Sequence, residues 1–172
     1  MITGGGFRPL PIVLLAVVLS VACEGPSPSP LDPGGRLSGA VVRDGIEYRA
    51  EVLVMESFPV QLSGRATLRN RSDQPRTVTF TDGCLVLLRA FRPQGGGPVW
   101  DQGHDVACTQ ALVPVELEPG AARELSAPTV SAYDILRADL PDGDYRIALY
   151  LRPVDAPEIE IDAGTTDLAI PR

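Results

Sequence analysis

Lysine is missing from this chain: all 15 basic residues are arginine, set against 22 aspartates and glutamates for a net charge of −7. With no lysine-rich run to follow a phosphate backbone and acid in excess, the sequence argues against nucleic acid as a partner. Arginine-only usage beside abundant Ala, Gly, Pro and Val reads as coding bias and carries no functional meaning. Histidine is nearly missing too. His104 is the only imidazole, so a hydrolytic triad has one candidate base and a zinc site lacks most of its nitrogen ligands. The three cysteines show no C-x-x-C spacing, and Gly95-Gly96-Gly97 has neither the lysine nor the helix start of a phosphate loop, so it reads as a hairpin tip. No apolar run is long enough to span a bilayer, since Ile12 to Val21 falls short of the roughly 20 residues required. No catalytic residue, metal or cofactor is expected from these absences.

What is present starts at the N-terminus. Arg8, the apolar run to Val21 and the small side chains Ser20 and Ala22 read as an export signal over residues 1–22, cut after Ala22. Cys23 then becomes the first residue. Leu19-Ser20-Val21-Ala22-Cys23 resembles the bacterial lipobox, in which the thiol takes a diacylglyceryl group before the same bond is cut; Ser20 stands where that motif usually has leucine. The following residues, EGPSPSPLDPGG, form a proline-rich tether through position 35, able to hold a domain some tens of ångströms from an anchor. Acylation of Cys23 also leaves Cys84 and Cys108 as one pair in an oxidising compartment. The alternative is a secreted soluble protein with an exposed thiol at its N-terminus, and for Cys84 and Cys108 two buried free thiols.

Residues 36–172 form the expected domain, one core built from 44% apolar residues. Period-two alternation puts Ile46, Tyr48, Ala50, Val52 and Val54 on one face against Glu47, Arg49 and Glu51. RATLRN and RTVTFT, separated by Ser72-Asp73-Gln74-Pro75, read as two paired, half-exposed strands. CLVLLRAF is apolar on both faces, as a central strand would be, and RPQGGGP turns it into a hairpin ending at Val99 and Trp100. ALVPVELEPG reads as an edge strand because of Pro114, and SAYDILRADL as a helix of a turn or two from Ser131. DYRIALYL alternates Tyr145, Ile147, Leu149 and Leu151 against Arg146 and Tyr150, and EIEI and TTDLAI supply two last short strands. The expected fold is all-β, an antiparallel immunoglobulin-like β-sandwich of about eight strands. Pro141-Asp142-Gly143-Asp144-Tyr145 resembles a tyrosine corner, with Ile147 where an immunoglobulin has its second cysteine. The Cys84–Cys108 bridge would instead clip a strand to the loop beyond the hairpin.

In sequence, ATLRNRSDQPRTVTFTDGCLVLLRAF, GGGPVWDQ, LVPVELEPGAARELS and LPDGDYRIALYL resemble the intracellular proteinase inhibitor (BsuPI) domain family over about Val60 to Leu151. Asn70, Trp100, Leu117, Pro119, Gly120, Gly143 and Tyr145 occupy that family's characteristic places, and the aromatic usually found near Cys84 is absent. The resemblance implies an immunoglobulin-like sandwich and allows proteinase inhibition as an activity.

Other chemistry is thin. Asp101, His104 and Asp105 could converge on a metal, but too few ligands are present and a solvated loop is expected. Glu158 and Glu160 alternate on one strand face and are expected to be solvated. Trp100 reads first as core, with a partner anchor or a sugar-stacking platform as the alternative. The functional expectation is a lipid-anchored, non-catalytic binding module of the bacterial cell envelope. It is held to a membrane through Cys23, in the outer membrane by default for a two-membrane cell because Glu24 follows the cysteine. Its partner would be a proteinase met through the 92–98 hairpin or, alternatively, an envelope protein met through a sheet edge.

Overall fold

A computed structural model describes residues 35–137 and 139–170. The export signal, Cys23 and the tether up to position 34 lie outside these residues. In chain order the strands are β1 (Arg36–Arg43), β2 (Ile46–Met55), β3 (Gln61–Asn70), β4 (Arg76–Phe80), β5 (Leu87–Phe91) and β6 (Trp100–Asp101). They continue with β7 (Val113–Leu117), β8 (Ala122–Ser126), β9 (Val130–Ser131), β10 (Gly143–Leu151) and β11 (Ile159–Leu168), and one short helix, α1 (Ala132–Leu136), follows β9.

Alternation in β2 builds the first sheet as the sequence predicts: Ile46, Tyr48, Ala50, Val52 and Val54 are all buried. The sheet runs β1-β2-β3-β8, with β9 also on β3, and every pairing is antiparallel. A second sheet runs β11-β10-β5-β6, which places β5 between two neighbours, as its apolar faces require. Leu62, Ala66 and Leu68 of the first sheet and Leu88, Ala90, Ile147 and Leu149 of the second belong to one buried cluster, so the architecture is an antiparallel β-sandwich. β4 and β7 form a separate two-stranded ribbon that includes Pro114 opposite Thr79, and Phe80 bridges it to Pro153.

The tyrosine corner is present: the Tyr145 hydroxyl donates to the Pro141 carbonyl at 2.6 Å. α1 starts at Ser131 with a reciprocal capping box, the Ser131 hydroxyl accepting from the Asp134 N–H and the Asp134 carboxylate accepting from the Ser131 N–H.

Three expectations change. The strands on either side of Ser72-Pro75 do not pair with each other, because both edges of β3 are already taken, one by β2 and the other by β8 and β9. The two last short strands are one, β11, continued through a bulge where Ile147 pairs with Gly164 and Ala148 with Asp162. Gly164 holds φ at +124° there, a backbone angle that side-chain-bearing residues resist. Finally, β1, β8 and β9 join the count, giving eleven strand segments, two of them only two residues long.

The two sides of the sandwich differ. Along one, β1 lies so close to β11 that a Cβ added to Gly39 would sit 1.8 Å from the Asp162 carbonyl oxygen, and the Arg43 guanidinium reaches the Pro157 carbonyl at 3.3 Å. On the other side, β8 pairs only with β3.

The ends differ as well. Gly35 accepts from the Val54 N–H at 2.8 Å, Val54 faces Leu62, and Leu62 faces Val130. The chain therefore enters the sandwich at the same end as the β2–β3 turn, β9 and α1.

Candidate functional site

Two polar constellations lie outside the main core. The first covers the outer face of the second sheet. Leu87, Phe91, Ala148 and Tyr150 are buried there without belonging to the main cluster, because arginines lie over them. The Arg89 guanidinium stacks 3.7 Å from the Tyr150 ring centre and that of Arg146 stacks 3.9 Å from Phe91. Arg89 also donates to Asp101 at 2.8 Å, to Glu160 at 3.4 Å and through two nitrogens to Glu158. Glu158 and Glu160 are thus ion-paired rather than simply solvated, which corrects the expectation from their alternation. Tyr150, expected on the solvent face beside Arg146, is buried, and its hydroxyl donates to Asp101 at 2.6 Å.

Burial pushes the Asp101 carboxyl up, but hydrogen bonds from Tyr150, Arg89 and the Gly103 N–H outweigh it and hold the group below its ordinary value. Burial, and then the hydrogen bond to Asp101, raise the Tyr150 hydroxyl. Burial alone would lower Arg89, yet its bonds to Glu158 and Asp101 raise it instead. Every partner here favours the form already present at neutral pH, which describes a structural network.

The second constellation is a groove of about 720 Å³ between the segment after β6 and the stretch from Pro128 through α1. Its floor is buried Gln102, whose carbonyl accepts from the Leu88 N–H at 3.0 Å and whose amide donates to the Pro128 carbonyl at 2.9 Å. One wall carries Trp100 and Asp105, the other Tyr133, Asp134 and Arg137. The Trp100 indole donates to Asp105 at 2.9 Å, and Arg137 donates to the other oxygen of the same carboxylate. Arg137 has first place among the causes that hold Asp105 below its usual range. At the C-terminus of α1, Arg137 adopts φ +46°, a conformation that costs a non-glycine residue energy and recurs at binding sites. Trp100 is 7% exposed and belongs to the core, while its edge reaches the groove.

The disulfide joins Cys84 and Cys108, with Cα atoms 5.4 Å apart, and so pins the segment after β6 to the approach to β5. Gly83 adds a backbone bond to the Thr109 carbonyl at 3.0 Å. Asp82 lies within 4.8 Å of both sulfurs, but the sulfurs are bonded to each other and Asp82 is held by Arg152 at 2.8 Å. Asp101 and Asp105 turn to different partners, Tyr150 and Arg89 for one, Trp100 and Arg137 for the other, so the Asp101, His104 and Asp105 set is not brought together as a ligand shell. The 92–98 hairpin stands clear, with nothing within 4 Å of a Cβ built on Gly95, Gly96 or Gly97. Sequence reasoning missed the groove, Gln102 and Arg137. The one available signal was local, the Ser131-x-x-Asp134 spacing that starts α1.

No protein-family description matches the chain, and no curated protein does. A solved β-glucosidase from Erythrobacter marinus is similar at 15% identity over 75% of this chain and 15% of that one, with a TM-score of 0.33. The chain thus spans 15% of the length of that enzyme. Fold and bridge define the class: a disulfide-clipped, antiparallel all-β sandwich.

Proposed function

We propose that this chain is a lipid-anchored module of the bacterial cell envelope that binds a partner without transforming it, and that the groove beside Trp100 is its binding site. The observation that carries the reading is how the groove is held. Its floor is cross-linked through Gln102, its walls through Asp105 and Arg137, and its outer segment through the disulfide, so little ordering remains to be done on binding. The carboxylates and the guanidinium lining it all have partners, and Asp105 is shifted down, whereas a general base is tuned toward neutrality. Anchoring is supported by Cys23, the one cysteine outside the bridge, and by the proline-rich residues after it.

Intact mass of the mature protein tests the anchor, since a diacylglyceryl group on Cys23 adds a defined mass and Cys23→Ser should move the protein from membrane to soluble fractions. An unmodified Cys23 sinks that part. For the groove, co-purification from envelope membranes should yield a stoichiometric partner that Arg137→Ala releases. The proteinase-directed version uses the exposed 92–98 hairpin, and a panel of proteinases cleaving at undiminished rate in its presence removes it.

A second reading, assembly through a sheet edge, is favoured by β8. The Ala127 N–H bonds the Gly64 carbonyl and the Asn70 N–H bonds the Ala121 carbonyl, so the backbone groups of Ala122, Glu124 and Ser126 point away from β3. Glu124→Pro would block strand addition there. A partner retained by that variant but lost on changing Arg137 decides for the groove.

A further inference from the structure

Of the eight Phe, Tyr and Trp rings among the described residues, six are buried, at 7% exposure or less. The other two, Phe58 and Tyr133, are 74% and 60% exposed, and they stand at one place. The Val60 carbonyl accepts from the Ala132 N–H at 2.7 Å, and Gln61 pairs with Ser131. Phe58 and Tyr133 therefore flank a single backbone contact between the β2–β3 turn and α1. This is also the end at which the chain enters, through Gly35 beside Val54. Exposed Val42, Leu112 and Val154 are aliphatic and lie elsewhere.

Aromatic side chains at a protein surface suit the headgroup layer of a membrane, where a ring can leave water while its neighbours stay wet. The occupant follows from where the outer chain joins. The eleven residues between Cys23 and Gly35 span at most about 40 Å even when fully extended, so an acyl group on Cys23 leashes this end, rather than the far one, within that reach of a lipid surface. Charge narrows the kind of surface. Glu56 stands two residues before Phe58 and Asp134 directly after Tyr133, both exposed, while the nearby Arg137 is ion-paired to Asp105, which sets the end against anionic headgroups.

We infer that Phe58 and Tyr133 form a membrane-contact surface that enters the headgroup layer of a zwitterionic leaflet. The inference rests on anchoring through Cys23. It orients the domain with the 92–98 hairpin toward the lipid and the far end, with its Ser72–Pro75 turn, toward solution.

In the acylated, bridged protein a new cysteine is the single free thiol, so an environment-sensitive dye can be placed through Glu56→Cys beside Phe58, or through Asp73→Cys at the far end as control. In phosphatidylcholine vesicles, quenching by headgroup spin labels should be at least threefold greater at position 56 than at 73. Phe58→Ser with Tyr133→Ser should abolish the difference, and anionic lipid should shrink it. Equal quenching at both positions, or a difference that survives the double substitution, overturns the surface. Energy transfer between copies at position 56 that persists on dilution with lipid assigns the rings to a second copy and overturns it as well. Intact mass separates the two premises: an acylated protein with equal quenching loses the surface and keeps the anchor, whereas a chain without acyl mass loses the anchor first.

Discussion

Replacing Asn70 with alanine is expected to cost more stability than removing any surface charge. Asn70 is fully buried at the end of β3, and its side chain makes four hydrogen bonds. The amide nitrogen donates to the Gln74 carbonyl at 2.7 Å and to the Leu117 carbonyl at 2.9 Å, and the oxygen accepts from the Ser72 N–H at 2.9 Å and the Ser72 hydroxyl at 2.7 Å. This one side chain closes the turn before β4 and ties it to the end of β7. At about 1 kcal/mol net per bond, the loss of four bonds comes to about 3–4 kcal/mol. A domain of this size should then melt roughly 10 to 15 °C lower. Urea and thermal unfolding followed by circular dichroism measure both quantities.

Asn70→Asp sharpens the test. It keeps both bonds from Ser72 but sets a carboxylate oxygen against two carbonyls in place of the donating amide. Its deficit at neutral pH should exceed that of alanine and shrink as pH falls toward about 4, because burial against two carbonyls raises the carboxyl in the folded state, where it protonates and can donate once more. A loss under about 1 kcal/mol for Asn70→Ala, or an aspartate variant whose deficit ignores pH, refutes the assignment of this turn to the Asn70 amide.

Four further outcomes follow from the same geometry. Cys84→Ser with Cys108→Ser opens a bridge between residues 24 apart and should lower stability by about 3 kcal/mol, measured by urea unfolding beside wild type with and without reductant; reductant should affect only the wild type. Gly39→Ala puts a methyl group into the Asp162 carbonyl and should cost about 1–3 kcal/mol, with amide exchange accelerated first along β1 and β11. Asp101 is held below its ordinary value of 3.8, so its contribution is complete above that value and is lost as pH falls through its lower, folded value; Asp101→Asn should flatten that acid limb. Tyr48, Tyr145 and Tyr150 are each raised above 10.0, first of all by burial, so the stability they contribute is complete below pH 10 and is lost as pH rises through their folded values. Absorbance at 295 nm should report that titration, with Tyr150→Phe removing part of it.

Legibility in the sequence tracked the range of the interaction. β2 could be read because its pattern is local and strict, and the tyrosine corner because its donor and acceptor are four residues apart. β1 escaped because its inward face carries Gly39 between Leu37 and Val41, which mutes the alternation. β11 was split in two because Ala163-Gly164 resembles a turn while acting as a bulge. Arg89 sits inside a run read only as apolar, and its role emerged with Asp101 of β6 and Glu158 just before β11. The groove was hidden for the same reason: Gln102 and Pro128 are 26 residues apart, Asp105 and Arg137 are 32 apart, and neither pair has a spacing rule. The bridge was readable by counting thiols, although counting says nothing about which segment it restrains.

That restraint has a consequence for timing. Apart from the bridge, the stretch from His104 to Leu112 is tied back by bonds from Trp100 and Arg137 to Asp105 and from Gly83 to Thr109, each of which water can replace. Oxidation turns this flap into a fixed rim. On the binding reading proposed above, a chain whose bridge is still open carries an unfinished groove, and closing the bridge completes it.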